Sequence, residues 1–352
     1  MAYLAFLAAA PKLGRRVVWA AIVLLVTAFA LAPVLLSHDV YSYVDYARLG
    51  VRHGLDPYVS PPLAAPADPA FAKVDWIDTT SAYGPLFTLA TYPLAWLSVS
   101  AAVAALKALA ALSVLGLALV VSRLAAWRGV EPLRAAALVA LNPLVLVHVV
   151  GGAHNDGTAM LLAMLGVAAL IAAREASAGA ALVAAVAVKA STAVLAPFAL
   201  VASVRSAPSR ARLLLAGAAL AALAIAAAAC AAFGWDWLHA FGLAGENQGR
   251  TSHMSIPITL ARLTGVDAGL VRAAAVGLYA ALVAYLLART WRGGDWVRAA
   301  AWATLGLLLA TAWLLPWYLV WLLPLAAIAR DRPLQLLTLA LTAYQLGARI
   351  PL

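Results

Sequence analysis

Residues 17–46 read VVWAAIVLLVTAFALAPVLLSHDVYSYVDY. The first part of this stretch, 17–36, carries no charged side chain, and at Ser37 the chain turns polar within one step. A bilayer span takes about 20 consecutive apolar residues. The stretch therefore predicts a membrane helix followed by a polar segment that begins at the membrane-water boundary. Lys12, Arg15 and Arg16 precede the apolar run, as the n-region of a signal peptide would. The run is span-length and Pro33 follows its Ala-x-Ala candidate, so a retained signal anchor with a cytoplasmic N-terminus is expected.

Composition extends this reading to the whole chain. Of 352 residues, 66% are hydrophobic and 11% charged, and the mean hydropathy is +0.95. The apolar share of a soluble domain is about half, so an ordinary soluble domain is excluded. The expected fold class is an all-α polytopic membrane protein, one domain over 1–352, with roughly ten spans of bilayer length. The net charge of +10 is spread between hydrophobic blocks and not gathered on a soluble fold. It serves topology, and no nucleic-acid partner is implied. The single cysteine, Cys230, lies in an alanine-rich run and can build neither a disulfide nor a thiolate metal site within one chain.

Spans are expected over 99–121, 135–150, 157–173, 213–233, 268–288, 297–315, 317–329 and 334–346. Segments 85–97 and 256–264 are too short to cross and read as partial or re-entrant helices. The run 178–204 is interrupted by Lys189 and Pro197 and reads as two half-helices meeting near the lysine. Two outer loops remain, 37–83 and 234–255. On this map 15 of the 24 Lys and Arg are cytoplasmic, while 10 of the 14 Asp and Glu lie outside. Positive-inside is a Lys/Arg rule and does not require carboxylates to gather outside. Their gathering there points to a site on the outer face.

Asp39 stands three residues beyond the last leucine of the first span, beside His38 and ahead of Tyr41, Tyr43, Asp45 and Tyr46. Read as a helix, 41–52 places Asp45, Leu49 and Arg52 on one side of an interfacial segment. A solvated loop carboxylate is the plain alternative. A partly desolvated one is more basic, and it can deprotonate a hydroxyl as that hydroxyl attacks. His154, Asn155 and Asp156 form GGAHNDG between two spans. Helix capping explains one of these three polar side chains, and the others point to a site. Lys189 at mid-bilayer would cost on the order of 3 kcal/mol, so it snorkels, pairs or binds an anion.

The second loop offers Asp236, His239, Glu246, Asn247, Arg250 and His253, of which Arg250 with His253 is the best phosphate clamp by spacing. No HxxxH or HExxH spacing, Walker A, Rossmann glycine pattern or GxSxG occurs. No metal or other cofactor is implied.

HDVYSYVDYARLGVRHGLDPY, SAYGPLF, NPLVLVHVVGGAHNDG, AVKASTAVLAP and PWYLVWLLPLA, in that order, resemble the GT-C membrane glycosyltransferases. Among these the chain looks most like bacterial polyprenol-phosphate-mannose-dependent alpha-1,6-mannosyltransferases, over roughly 37–326. The resemblance implies a GT-C-like bundle in the bacterial cytoplasmic membrane, with its active site on the outer face. It implies inverting transfer of a hexose from a polyprenyl-phosphate donor to a hydroxyl of a glycan or glycolipid. Asp39 would correspond to the family's catalytic base. His154, Lys189, Arg250 and His253 are expected at the donor phosphate, and Asn155, Asp156, Asp45, Tyr41 and Tyr83 at the substrates. The rival from another class is a polytopic lipid or sugar transporter or flippase. Many transporters carry internal repeats and hold their ionisable residues near the midplane; here repeats are not apparent and the polar residues gather at one face.

Overall fold

The computed structural model describes residues 1–246 and 249–347. Asn247 therefore lies outside the described residues. Those residues form helices and connecting segments, with no strand among them.

Among the described residues three helices are long and apolar enough to cross a membrane: Val99–Trp127 (α5), Pro208–Phe233 (α10) and Ala268–Trp291 (α13). Five further apolar stretches are 10–17 residues long. Sequence segmentation into about ten full spans thus gives fewer uninterrupted helices than expected, for local reasons. Asn142-Pro143 divides 132–150 into Pro132–Ala140 (α6) and a π-helical turn, Val145–Val150. A proline cannot donate to the helix ladder, and the Asn142 side chain takes the Leu144 N–H instead (3.0 Å).

At Lys189 the backbone is extended, separating Glu175–Val188 (α8) from the 3-10 turn Ala190–Leu195 and Ala196–Ser206 (α9). The expected interruption at this lysine is found. Pro85–Thr91 (α4), its 3-10 continuation Tyr92–Trp96, and Ile256–Thr264 (α12) are as short as expected. The N-terminal helix Ala2–Ala9 (α1) was not foreseen; it packs on α6, where the Tyr3 hydroxyl donates to the Leu138 carbonyl (2.7 Å).

α5 is the axis of the bundle. Ser98 caps its start, and it packs against Arg15–Leu31 (α2), α6, Asp156–Ile171 (α7) and Leu319–Ile328 (α15). Every residue of α15 is buried, as a helix that is apolar on all sides should be. α8 and α10 approach most closely. A Cβ on Gly179 would lie 2.0 Å from the Leu214 carbonyl oxygen, and one on Gly217 would lie 2.0 Å from that of Ala176. Small residues let membrane helices meet backbone to backbone. The outer surfaces of α10 and α13 expose Leu220, Leu223, Leu270 and Leu278, as lipid-facing surfaces do.

The two ends of the bundle differ electrically. At the C-terminal end of α5, roughly 43 Å from its start by helical rise, four carboxylates are all engaged. Glu131 caps α6 and Glu175 pairs with Arg210. Asp295 caps Trp296–Ala310 (α14) and pairs with Arg128, and Asp331 pairs with Arg298 (2.5 Å) and the Trp302 indole (2.9 Å). The other end carries Asp39–His53 (α3) and the GGAHNDG turn, with carboxylates committed differently.

Candidate active site

Asp39 is the first residue of α3, two positions earlier than the sequence suggests. A carboxylate at a helix N-terminus is favoured by the helix dipole. Here the Trp76 indole N–H donates to Oδ1 (3.2 Å), and the backbone N–H of Asp39 donates to Ser37 Oγ (3.4 Å). On the far side, Oδ2 is 3.7 Å from His154 Nδ1. Burial pushes the Asp39 carboxyl above its ordinary range, opposed by the Trp76 hydrogen bond and the charge of Lys189 and reinforced by Asp156. The result is a carboxylate more basic than one in water, with 16% of its side chain still accessible.

His154 comes from a strained turn. Ala153 has φ +55°, a left-handed conformation that non-glycine residues adopt at a cost of about 1 kcal/mol. That turn lays the imidazole flat on Trp317 (3.9 Å between ring centroids, 19° between planes). Leu36 is also left-handed (φ +60°), and the Leu35 N–H donates to the Gly151 carbonyl (3.3 Å), so the two strained turns are tied together just behind Asp39.

α7 starts at Asp156, which is wholly buried. Its Oδ1 accepts from the Trp321 indole (2.7 Å) and its Oδ2 from Lys189 Nζ (2.8 Å). Asn155 occupies the N-cap position but makes no capping bond; its Oδ1 instead stands 3.5 Å from Lys189 Nζ. Capping therefore does not account for the HND triplet. Lys189 reaches this cluster because α8 ends one residue before it. The end of α8 is held by the SAYGPLF segment, where the Gly84 N–H donates to the Val188 carbonyl (3.3 Å). A Cβ on Gly84 would lie 2.1 Å from the Ala187 carbonyl oxygen. Lys189 Nζ also lies 5.6 Å from the Tyr318 ring centroid, and Tyr318 stacks on Trp321 (4.1 Å).

These groups border a cavity of about 470 Å³. Asp39, Tyr83, Lys189 and Arg250 line it, and His154, Asn155 and Asp156 are buried immediately behind. The Arg250 guanidinium lies 4.9 Å over the Trp76 ring. Among the described residues Arg250 has no carboxylate within 4.0 Å, whereas Lys189 has Asp156.

Three expected positions fall elsewhere. Tyr41 is on the opposite side of α3 and lines a different cavity. Asp45 is buried and lines neither cavity; among the described residues no hydrogen bond reaches either of its oxygens. His253 is exposed and does not join Arg250 on the cavity wall; Ser252 and Ser255, which flank His253 and Met254, bond inward to the carbonyls of Leu314 (2.8 Å) and Thr311 (2.9 Å).

Sequence reasoning missed the walls. Trp76, Trp317, Tyr318 and Trp321 are among the aromatic surfaces of the site, and for the last three the signal was the aromatic density of PWYLVW.

A hydroxyl reaching Asp39 would meet a carboxylate of raised pKa. An anion entering the cavity would meet Arg250 and, next to it, the Lys189–Asp156 pair. Flat aromatic walls with polar side chains set between them suit a ring that has an apolar face and hydroxyls at its edge.

Residues 1–205 match the family described as alpha-(1->6)-mannopyranosyltransferase, N-terminal domain. Alpha-(1->6)-mannopyranosyltransferase A of Mycobacterium tuberculosis is 36% identical over 161 residues, covering 42% of this chain and 30% of that protein. Alpha-(1->6)-mannopyranosyltransferase A of Corynebacterium glutamicum is 32% identical over 168 residues, covering 46% of this chain and 33% of that protein. The matched region thus spans about a third of the length of these relatives. No solved structure matches the chain.

Proposed function

Because the chain belongs to the alpha-(1->6)-mannopyranosyltransferase family, we propose that it is a membrane glycosyltransferase that moves a hexose, mannose by the names of its relatives, from a polyprenyl-phosphate donor to a hydroxyl of a glycan or glycolipid acceptor. The observation that carries this reading is one cavity lined by a half-buried carboxylate, Asp39, whose pKa desolvation raises, and by a cation, Arg250, with no carboxylate within 4.0 Å among the described residues. Asp39 takes the proton of the acceptor hydroxyl as its oxygen forms a bond to the anomeric carbon. The bond from that carbon to the phosphate oxygen breaks, and the electron pair leaves on the polyprenyl phosphate. Attack from the face opposite the phosphate inverts the anomeric centre.

Charge develops on the phosphate, and fixed cations in a low-dielectric site stabilise it without reorganising. Arg250 serves as the direct contact, with Lys189 beside it. His154 and Trp76 hold Asp39 in place, and the aromatic walls exclude water. The acidic outer loop supports an outer-face site, and α4 and α12 are suited to wall the groove for the isoprenoid tail.

The test is sugar transfer from radiolabelled polyprenyl-phosphate-mannose in membranes containing the wild-type chain, compared with Asp39→Asn present at the same level. Transfer by the wild type alone supports the enzyme and its base. Equal transfer by both removes Asp39 from the mechanism. Absence of transfer by either, with mannose and then other polyprenyl-phosphate sugars, overturns the reading.

A further inference from the structure

α3 divides two cavities. Asp39 and Tyr46, seven residues apart, face the site described above. Tyr41, Arg48 and Arg52, spaced by seven and four residues, form the opposite stripe and face a second cavity of about 860 Å³. This second cavity opens between the end of α2 and the start of α5.

Four cations reach it: Arg48, Arg52, Lys73 and Lys107. Arg48 is neutralised by Asp68 (2.7 Å). The other three have no carboxylate within 4.0 Å among the described residues. Arg52 donates to the Ala95 carbonyl (2.6 Å) and lies over the Trp96 ring (5.7 Å). Lys73 lies over Tyr41 (5.2 Å). Lys107 sits two turns inside α5 and donates to the carbonyls of Ala32 and Pro33, at 3.1 Å for Pro33. A lysine that deep in an apolar helix is expensive unless something anionic meets it, and carbonyl oxygens supply only partial charge.

The remaining wall is apolar and faces outward. Leu31 is 82% exposed and Trp96 70%. Three uncompensated cations beside an apolar, outward-facing surface match an amphiphile with an anionic head. A zwitterionic headgroup brings its own ammonium and gains less from three uncompensated cations.

We propose that this cavity binds a membrane phospholipid through an anionic phosphate headgroup held by Arg52, Lys73 and Lys107, with its acyl chains along α2 and α5. The site is separate from the transfer cavity and does not depend on the reading of that cavity.

The test uses the full chain in detergent, equilibrated with phosphatidylglycerol and phosphatidylcholine of the same chains, with retained lipid counted by native mass spectrometry. The wild type is expected to retain one phosphatidylglycerol in preference to phosphatidylcholine. Lys73→Gln, which loses only a ring contact within the protein, should lower that preference several-fold, and Arg52→Gln/Lys73→Gln should abolish it. Arg292→Gln, at the other end of the bundle, should leave it unchanged. Unfolding temperature checks that the variants are folded. Inorganic phosphate at the concentration of the lipid should not displace it. Equal retention of the two lipids by the wild type, unchanged preference in folded Lys73→Gln and double variants, or displacement by inorganic phosphate would each overturn the proposal.

Discussion

Lys189 Nζ stands 2.8 Å from Asp156 Oδ2, and the two residues come from helix ends that face each other, the C-terminus of α8 and the N-terminus of α7. Asp156 is wholly buried. Removing the lysine leaves that carboxylate with the Trp321 indole as its remaining bonded donor, and breaking a buried pair costs about 3–5 kcal/mol. Lys189→Met should therefore lower stability strongly, and adding Asp156→Leu should restore most of it. Thermal unfolding of the two single variants and the double variant in one detergent measures the coupling. Transfer activity should stay lost in the double variant, because the charge arrangement of the cavity is gone.

The pH dependence of transfer should report Asp39. A general base works when deprotonated, so the rate falls as pH drops through its folded pKa. Burial raises that pKa, and the acid limb should lie above the ordinary carboxylate range. The Trp76 hydrogen bond favours the charged form and holds the pKa down. Trp76→Phe should consequently shift the limb to higher pH, with the alkaline plateau reduced far less than the rate near the limb. A limb that stays in place in Trp76→Phe would detach it from Asp39.

Arg250 is the exposed, unneutralised cation of the transfer cavity. Its substitution leaves no buried partner stranded, so Arg250→Gln should fold like the wild type. The expected change is about a tenfold or greater rise in the KM for the polyprenyl-phosphate donor, since a charge-assisted hydrogen bond contributes on the order of 1.5–3 kcal/mol. His253→Ala, outside the cavity, should change neither constant.

The features legible in the sequence were those that one local conflict decides. A lysine in an apolar run forces a break, and α8 ends beside it. Segments 85–97 and 256–264 are short and rich in helix-starting proline, and they remain short in the structure. That Asp39 opens a new segment just past the first apolar helix followed from the abrupt change at Ser37, and α2 ends at Leu31 with α3 starting at Asp39. What the sequence could not display is which side of α3 meets which neighbour. Periodicity groups Asp45, Leu49 and Arg52, but burial against the 62–96 segment closes Asp45 and Leu49 away and leaves Arg52 at a different cavity. The stacking of His154 on Trp317 and its approach to Asp39 join residues more than a hundred positions apart, and no local pattern encodes that.

Asp45 is buried with no hydrogen-bond partner for either oxygen among the described residues, and its carboxyl is pushed up to about 7, mainly by burial and then by Asp68, with His53 and Arg48 pulling it down. The folded state thus holds a proton that the unfolded chain releases near its ordinary value of 3.8. Stability from this group is full below that value and is lost as pH rises to about 7. Asp45→Asn removes the titration. It should be nearly neutral at pH values near 4 and stabilising by a few kcal/mol at pH values near 8, seen as a higher unfolding temperature than wild type only at the higher pH.

Gly84 is the joint between the first polar segment and the lysine break. Its N–H bonds to Val188, and a Cβ there would lie 2.1 Å from the Ala187 carbonyl oxygen. That oxygen belongs to the backbone and cannot rotate aside, so Gly84→Ala must push α4 from the end of α8 and carry Lys189 with it. Gly84→Ala should lower both the unfolding temperature and the transfer rate. Gly14→Ala, at a position where a Cβ meets nothing within 4 Å, should lower neither. If Gly84→Ala kept full transfer, the seat of Lys189 would not depend on this contact, and the cavity wall would have to be held by Asp156 and the stacked Tyr318 and Trp321 alone.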